Sequence, residues 1–181
     1  MPERSPWNAR LAGTLARTRV PIGFLCGAAV LWLSQPTLRS LAIGGIIAGS
    51  GELLRIWAAG HLEKGQEVTQ SGPYRLTRHP LYVGSAIIAL GAAFASARPI
   101  VAVLISAYMS VTVAAAIHHE EAGMRASFGD QYDAYLESRV TLVELVERPF
   151  SLDRVVKNKE YRAVAGLAAF AVMLAMKAVF R

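Results

Sequence analysis

The chain has 181 residues, of which 54% are hydrophobic and only 18% are charged, and its mean hydropathy is +0.36. Soluble domains carry about 25% charged residues, so this composition argues against an ordinary soluble domain. The formal net charge is +6. The distribution of basic residues described below explains this charge better than nucleic-acid binding does, and we expect no nucleic-acid partner.

Five apolar segments predict five membrane-spanning helices. They are residues 20–34, 38–60, 81–97, 99–117 and 162–180. A helix needs roughly 20 mostly apolar residues to cross a hydrocarbon core of about 30 Å, and the first segment reaches that length only with its flanks. Helices that are apolar on every side are typical of membranes rather than of a soluble helical protein. The predicted fold is therefore an all-α, polytopic transmembrane bundle.

The N-terminal residues and the single cysteine indicate whether the chain is cleaved as a secretory protein and whether it can form a disulfide. Residues 1–19 contain four Arg, but no convincing small-residue cleavage site follows the first apolar segment. We therefore expect a basic leader and a retained first helix rather than a secretory signal. The one cysteine, Cys26, lies in that helix, so an intrachain disulfide is excluded.

The basic residues predict the orientation. With five spans and a cytoplasmic N-terminus, fourteen of the nineteen Lys and Arg lie on the cytoplasmic side, four lie on the far side, and Arg55 lies within a span. The fourteen are Arg4, Arg10, Arg17, Arg19, Lys64, Arg75, Arg78, Arg125, Arg139, Arg148, Arg154, Lys157, Lys159 and Arg162. An excess of basic residues in short loops marks the cytoplasmic side.

The polar stretch 118–161 predicts further helical structure. Its first part continues helix four, Gly129 reads as a stop, and Tyr132, Tyr135, Leu136 and Val140 have the spacing of a short amphipathic helix. Leu142, Leu145 and Val146 could then lie on the membrane surface. Helices two and three are rich in small residues, which let helix backbones approach in lipid and predict a tightly packed bundle. These residues are Gly44, Gly45, Gly49, Gly51, Gly84, Ser85, Gly91 and Ala92.

A first cluster of polar residues, 71–84, precedes and enters helix three. Gly72-Pro73 marks a turn, and Pro80 starts a helix, which places His79 at its mouth. Free backbone N–H groups at a helix N-terminus favour an anion, and Arg75 and Arg78 add positive charge. An interfacial anchor of aromatic and basic residues is an equally good reading of these residues alone.

A second cluster, His118-His119-Glu120-Glu121, lies at the cytoplasmic end of helix four. Adjacent carboxylates at a membrane surface need a cation or water, so a solvated helix end is the simplest interpretation. No second matching motif supports a metal site, and we expect no bound metal. Because helices three and four form a hairpin, both clusters should meet at one face, where basic and acidic walls suit a zwitterionic ligand such as an amino acid moiety.

Together these residues resemble the isoprenylcysteine carboxyl methyltransferase family and its phospholipid methyltransferase relatives. The resemblance rests on Ser71-Gly72-Pro73-Tyr74, on Arg78-His79-Pro80-Leu81-Tyr82-Val83-Gly84, and on Glu120-Glu121, Phe128-Gly129, Tyr132, Tyr135 and Arg139-Val140. The tract from Gly51 to His61 looks like that of bacterial members. The resemblance covers roughly residues 40–140.

The resemblance implies an integral membrane enzyme that uses S-adenosylmethionine and releases S-adenosylhomocysteine. Carried over by position, the cofactor-binding residues would be Gln66, Glu67, Val68 and Thr69 through their backbone, then Tyr74, His79, Pro80, Leu81 and Tyr82, and Glu120 on the other wall. His79, Glu121 and Arg78 would be the catalytic candidates. The family also suggests a bacterial inner membrane, with the active site facing the cytoplasm and closed by cytoplasmic helical segments.

The sequence does not identify the methyl acceptor. Methyl transfer mainly needs proximity, alignment and exclusion of water. An amine or thiol acceptor would also need a base, such as His79 or Glu121. A carboxylate acceptor would need no base. Where some members carry Arg before the acidic pair, this chain has Ala115-Ala116-Ile117-His118. We expect a lipophilic or lipid-modified acceptor that enters from membrane lipid.

The expected organisation is one membrane domain over 1–181, with the leader 1–19, a catalytic core 20–140, and a linker with an added span over 141–181. A membrane sterol reductase of related fold is an alternative, although the sequence shows no dinucleotide fingerprint. A non-catalytic lipid-binding membrane protein is another.

Overall fold

The computed structural model describes residues 21–137 and 148–180, and over these ranges it is helical without a strand. The helices are α1 (Pro21–Leu33), α2 (Leu38–His61), α3 (Pro80–Ser96), α4 (Pro99–Glu137), α5 (Leu152–Lys157) and α6 (Tyr161–Val179), with a 3-10 turn at Gly72–Arg75. The all-α prediction is confirmed. The predicted leader 1–19, Arg139-Val140 and the surface segment with Leu142, Leu145 and Val146 lie outside the described residues.

Prolines and caps set the helix ends close to their predicted positions. Thr37 caps α2 through a capping box with Ser40, in which each side chain binds the backbone N–H of the other. Pro80 occupies the first turn of α3, where its missing N–H costs nothing. Ala97 adopts a left-handed conformation that ends α3 and turns the chain into α4. Gly129 leaves helical geometry with φ 46°, as predicted for a stop.

Within the described residues, three helices are long and apolar enough to cross a membrane: α2, the part of α4 over Pro99–Asp130, and α6. Apolar α1 and α3 are shorter, with thirteen and seventeen residues. Large apolar side chains point outward, including Trp32 at 85% exposure and Phe24 at 78%. Because a soluble protein rarely exposes such a continuous apolar surface, this outward face is suited to lipid. The chain is an integral membrane protein.

The closest helix contact joins α2 to α3 through two glycine pairs. An added Cβ on Gly44 would lie 2.5 Å from the Gly91 carbonyl oxygen, and one on Gly51 would lie 2.6 Å from the Gly84 carbonyl oxygen. Such distances leave no room for a side chain, so the two backbones touch directly. Close backbone packing increases dispersion contacts where lipid supplies no hydrophobic drive. The tight packing predicted from the small residues is found at these two pairs, whereas an added Cβ on Gly45 or Gly49 would have no neighbour within 4 Å.

The remaining spans complete the bundle around α3. Val30 of α1 packs against Val101 and Ile105 of α4 in a small buried core. At the same end, Lys177 of α6 donates hydrogen bonds to the carbonyl oxygens of Leu31 and Trp32. A lysine at a helix C-terminus satisfies carbonyls that have no partner within the helix. These contacts hold α1 and α6 side by side.

The segment that precedes α6 packs on the C-terminal end of α2. The sequence analysis did not predict this contact. Arg154 donates to the Gly60 carbonyl oxygen over 2.7 Å, and the Asn158 amide donates to the carbonyl oxygens of Ala59 and Leu62, each over 3.0 Å. Arg55 pairs with Glu160 at 2.7 Å. The added C-terminal part is therefore joined to the core by polar contacts at the helix end.

We expect Gly91→Ala to destabilise the bundle, because its new Cβ would lie 2.5 Å from the Ala48 nitrogen and 2.6 Å from the Gly44 carbonyl oxygen. Overpacking of this kind costs about 1–3 kcal/mol. Gly45→Ala is the matched control, since its Cβ would have no neighbour within 4 Å and alanine favours helices by up to about 1 kcal/mol. Thermal unfolding in detergent should show a lower midpoint for Gly91→Ala only. Equal midpoints would contradict the close contact.

Candidate functional site

His79 begins the candidate site at the N-terminus of α3. Its backbone is the N-cap of the helix, and its carbonyl oxygen accepts from the N–H of Tyr82 over 3.0 Å and of Val83 over 3.1 Å. Its side chain makes no capping hydrogen bond, so the imidazole is free to turn away from its own helix. The sequence-based placement of His79 at a helix mouth is confirmed.

The imidazole of His79 meets Glu121 of α4. Its Nε2 atom lies 3.3 Å from a carboxylate oxygen of Glu121, and both side chains are partly buried. The Tyr82 ring lies 5.7 Å from the imidazole between ring centroids. The two sequence clusters therefore meet at one end of the bundle, as the hairpin of α3 and α4 predicted.

Tyr74 lies on the 3-10 turn before α3 and is positioned by the packing of that turn. Gly72 has φ +57°, and an added Cβ there would lie 2.5 Å from the His61 ring, so glycine is needed for both reasons. His61 is fixed in turn by Ser71, whose hydroxyl lies 3.0 Å from Nδ1. On the other side, the Tyr135 hydroxyl donates to the Tyr74 carbonyl oxygen over 3.3 Å.

The Glu120 carboxylate influences the pKa of the Tyr74 phenol. Burial raises the pKa of the Tyr74 phenol well above its usual value, the nearby Glu120 carboxylate raises it further, and Glu160 makes a smaller contribution. Both effects disfavour the phenolate, because burial and negative neighbours each oppose a negative charge. Glu120 itself is exposed. The 3-10 turn thus brings a buried phenol near the exposed Glu120 carboxylate of α4.

Tyr132 lies near Glu121, and the sequence analysis assigned it no role at the site. Its side chain is 3% exposed, and its ring centroid lies 6.2 Å from that of Tyr135. Burial raises the pKa of the Tyr132 phenol, Glu121 raises it further, and Arg78 and Arg125 lower it. Arg78 and Glu121 therefore lie near this phenol. The family motif continues through Tyr132 and could have indicated a role at the site. The helical spacing of Tyr132 is equally typical of a residue that only packs against its neighbours.

The four other predicted cofactor-binding positions lie on the loop after α2. Gln66 is exposed, while Val68 and Thr69 are buried. Glu67 pairs with Arg148 at 2.8 Å, and the Thr69 hydroxyl accepts from the Glu63 N–H over 3.3 Å. The first contact joins the loop to the segment before α5, and the second closes the loop on itself. They do not bring Glu67 or Thr69 into contact with the His79 and Glu121 pair.

Pro80 and Leu81 support the site from within α3. Pro80 is fully buried, and the Leu81 carbonyl oxygen accepts from the Ser85 hydroxyl over 2.9 Å and from Arg55 over 3.4 Å. Over residues 21–137 and 148–180, no three His, Cys, Asp or Glu side chains come together as metal ligands. The site thus combines an accessible carboxylate, a guanidinium, a histidine and several tyrosines.

Comparison with protein families matches residues 18–131 to the phospholipid methyltransferase family. The matched region contains α1 to α3 and most of α4, and with them His79, Glu120 and Glu121. No curated protein and no solved structure matches the chain.

We expect the ionisation of Tyr74 to limit stability in alkali. A phenol whose folded-state pKa is raised above the unfolded value of about 10 favours folding at lower pH. That contribution is lost as the pH rises above the unfolded value. Tyr74→Phe should therefore flatten the decline in thermal stability above about pH 10, measured by unfolding in detergent. Tyr161→Phe, at a 52% exposed position, is the control. An equal decline in both variants and in the unaltered protein would contradict the buried phenol.

Proposed function

Because the chain belongs to the phospholipid methyltransferase family, we propose that it is an integral membrane methyltransferase that uses S-adenosylmethionine and methylates a lipophilic or lipid-linked acceptor. The observation that carries this proposal is the contact of His79 with Glu121, 3.3 Å apart. It unites the two parts of the family-like motif, which lie 42 residues apart, at one end of the bundle.

The residues present fit the cofactor by their chemistry. Its amino acid moiety carries an ammonium and a carboxylate, which require an anionic and a cationic partner. The exposed Glu120 carboxylate can accept from an ammonium, and the Arg78 guanidinium and the N-terminus of α3 can bind a carboxylate. Tyr74 and Tyr82 offer aromatic faces, which attract cations such as a sulfonium. The contact of His79 with Glu121 supports this assignment, because it joins the segment that carries Tyr74, Arg78 and Tyr82 to the part of α4 that carries Glu120.

We assign the remaining roles by position. The backbone of Gln66, Glu67, Val68 and Thr69 would line the cofactor pocket, and the fixed loop geometry from Glu63 and Arg148 supports this role. Pro80 and Leu81 would form the floor of the pocket at the start of α3. These positions share the end of the bundle at which α2 ends and α3 begins.

When bound, S-adenosylmethionine supplies a methyl group to a nucleophile that approaches in line with the sulfur–carbon bond. The contribution of the chain is to align the nucleophile and to exclude water. His79 and Glu121 together can accept the proton that a neutral amine or thiol acceptor loses, because their hydrogen bond can hold a proton between them. Arg78 would stabilise the negative charge that a thiol acceptor develops as it loses its proton to this pair.

We propose that this end of the bundle faces the cytoplasm of a bacterial cell, with the chain in the inner membrane. Arg75, Arg78, Arg125, Arg154 and Lys157 lie at the end that carries the site, which agrees with the usual excess of positive charge on the cytoplasmic side. A soluble cofactor would then reach the pocket from the cytoplasm, while an apolar acceptor would reach it from the bilayer.

The direct test is isothermal titration calorimetry of the purified protein with S-adenosylmethionine and S-adenosylhomocysteine. We expect saturable binding of both ligands in detergent or nanodiscs. Absence of binding by protein that unfolds cooperatively would overturn the methyltransferase proposal. It would leave a non-catalytic lipid-binding membrane protein as the better interpretation.

We expect Glu120→Gln to weaken cofactor binding at least about tenfold, because a hydrogen bond to a charged group contributes about 1.5–3 kcal/mol. Asp153→Asn is the matched control: it removes a carboxylate from an exposed position of α5. The same calorimetric titration measures both variants. Equal affinities would show that Glu120 does not bind the cofactor, even where the unaltered protein binds it.

A further inference from the structure

A second polar cluster lies within the bundle, away from the His79 and Glu121 pair. It consists of Glu52 and Arg55 of α2, Ser85 of α3 and Glu160 before α6. Glu52 lies nine residues before the end of α2, which is about 14 Å along the helix axis at 1.5 Å per residue. Ionisable residues at such a depth are costly in a membrane, and those that occur there usually mark a functional site.

The hydrogen bonds of Arg55 are directed to groups other than Glu52. Its guanidinium donates to Glu160 over 2.7 Å, and also to the Ser85 hydroxyl and the Leu81 carbonyl oxygen. The nearest approach of Arg55 to the Glu52 carboxylate is 3.6 Å, too long for a hydrogen bond. Arg55 is therefore already neutralised by Glu160.

Glu52 is left with an unsatisfied carboxylate. Its side chain is 9% exposed, and neither carboxylate oxygen has a hydrogen-bond partner. Two carboxylates and one guanidinium leave one net negative charge in this cluster. Burying such a charge is strongly unfavourable when its nearest guanidinium, 3.6 Å away, donates its hydrogen bonds to other groups. A cation that donates hydrogen bonds to Glu52 would therefore complete the cluster.

Glu52 is one of the residues that line a cavity of about 420 Å³. Its walls come from α1, α2, α3, α4 and α6 and are mostly apolar, with Val30, Ile88, Ile105 and Phe170 among them. Glu52 and Arg55 are the charged side chains among the described residues of this lining. Gly166 on its rim is exposed, so the cavity opens on the outer surface of the bundle.

We propose that this cavity binds an apolar molecule that carries one ammonium group, with its hydrocarbon part between the helices and its ammonium on Glu52. The apolar walls suit a hydrocarbon chain, and a lipophilic amine is the occupant that supplies the missing positive charge. A fatty alcohol would leave the charge uncompensated, and a fatty acid would add a second negative charge.

The position of the cavity relates it to the candidate active site. Arg55 binds Leu81 and Ser85 in the first turns of α3, immediately after His79. The polar end of the cavity therefore lies beside the first turns of α3, the helix that His79 caps. That the occupant is the methyl acceptor rests on the proposed function, whereas its binding to the cavity does not.

The test is saturable binding of radiolabelled dodecylamine to the protein in phosphatidylcholine nanodiscs at neutral pH. Empty nanodiscs correct for partition into lipid. We expect unlabelled dodecylamine to compete at least about tenfold better than dodecanol, because the alcohol lacks the charge-assisted hydrogen bond, and dodecanoate not to compete. Equal competition by the three compounds would overturn the proposal.

Two pairs of variants test the assigned residues. Glu52→Gln should weaken dodecylamine binding at least about tenfold, whereas Asp133→Asn, which removes an exposed carboxylate outside the cavity, should not. Gly166→Leu should block the cavity, while Gly45→Leu on α2 should not; an added Cβ has no neighbour within 4 Å at either glycine. Unchanged binding in both Glu52→Gln and Gly166→Leu would overturn the assignment.

Cofactor calorimetry separates this proposal from the proposed function. If a variant binds S-adenosylmethionine as the unaltered protein does, it is folded, and a loss of amine binding then belongs to the cavity. Amine binding without cofactor binding would support the cavity and overturn only the methyltransferase. Cofactor binding without amine binding would overturn only the cavity proposal.

Discussion

The backbone contact between α2 and α3 is the constraint on which the rest of the structure depends. Gly44 faces Gly91 and Gly51 faces Gly84, and each pair leaves no space for a Cβ atom. Two contacts two helical turns apart fix both the distance between the helices and their register along the axis. The register then decides where α3 begins relative to the end of α2.

That register has consequences at two depths. Near the helix ends it places His79 beside the loop that carries Tyr74, and α4 returns Glu121 to the same point. Deeper in the bundle it places Ser85 and the Leu81 carbonyl oxygen within reach of Arg55. One close contact thus positions both the His79 and Glu121 pair and the buried polar cluster around Arg55.

The C-terminal segment completes the polar contacts of α2. Asn158 and Arg154 bind carbonyl oxygens at the end of α2 that have no partner within the helix. Glu160 neutralises Arg55, which would otherwise be a costly charge within the bundle. The segment lies beyond the matched family region, yet it supplies an essential partner to a residue within that region. Its packing explains how this chain accommodates Arg55 in a span.

The sequence by itself determined the helices, their approximate ends and the meeting of the two motif clusters. Apolar segments and prolines are local signals, and a hairpin of two spans must bring its ends to one face. Only the tertiary structure decided that Glu121 rather than Glu120 faces His79, because this depends on the rotation of α4 about its axis. It also paired Arg55 with Glu160 across 105 residues of sequence and left Glu52 unsatisfied beside a cavity. Neither outcome has a local signal, since both follow from how separate helices pack.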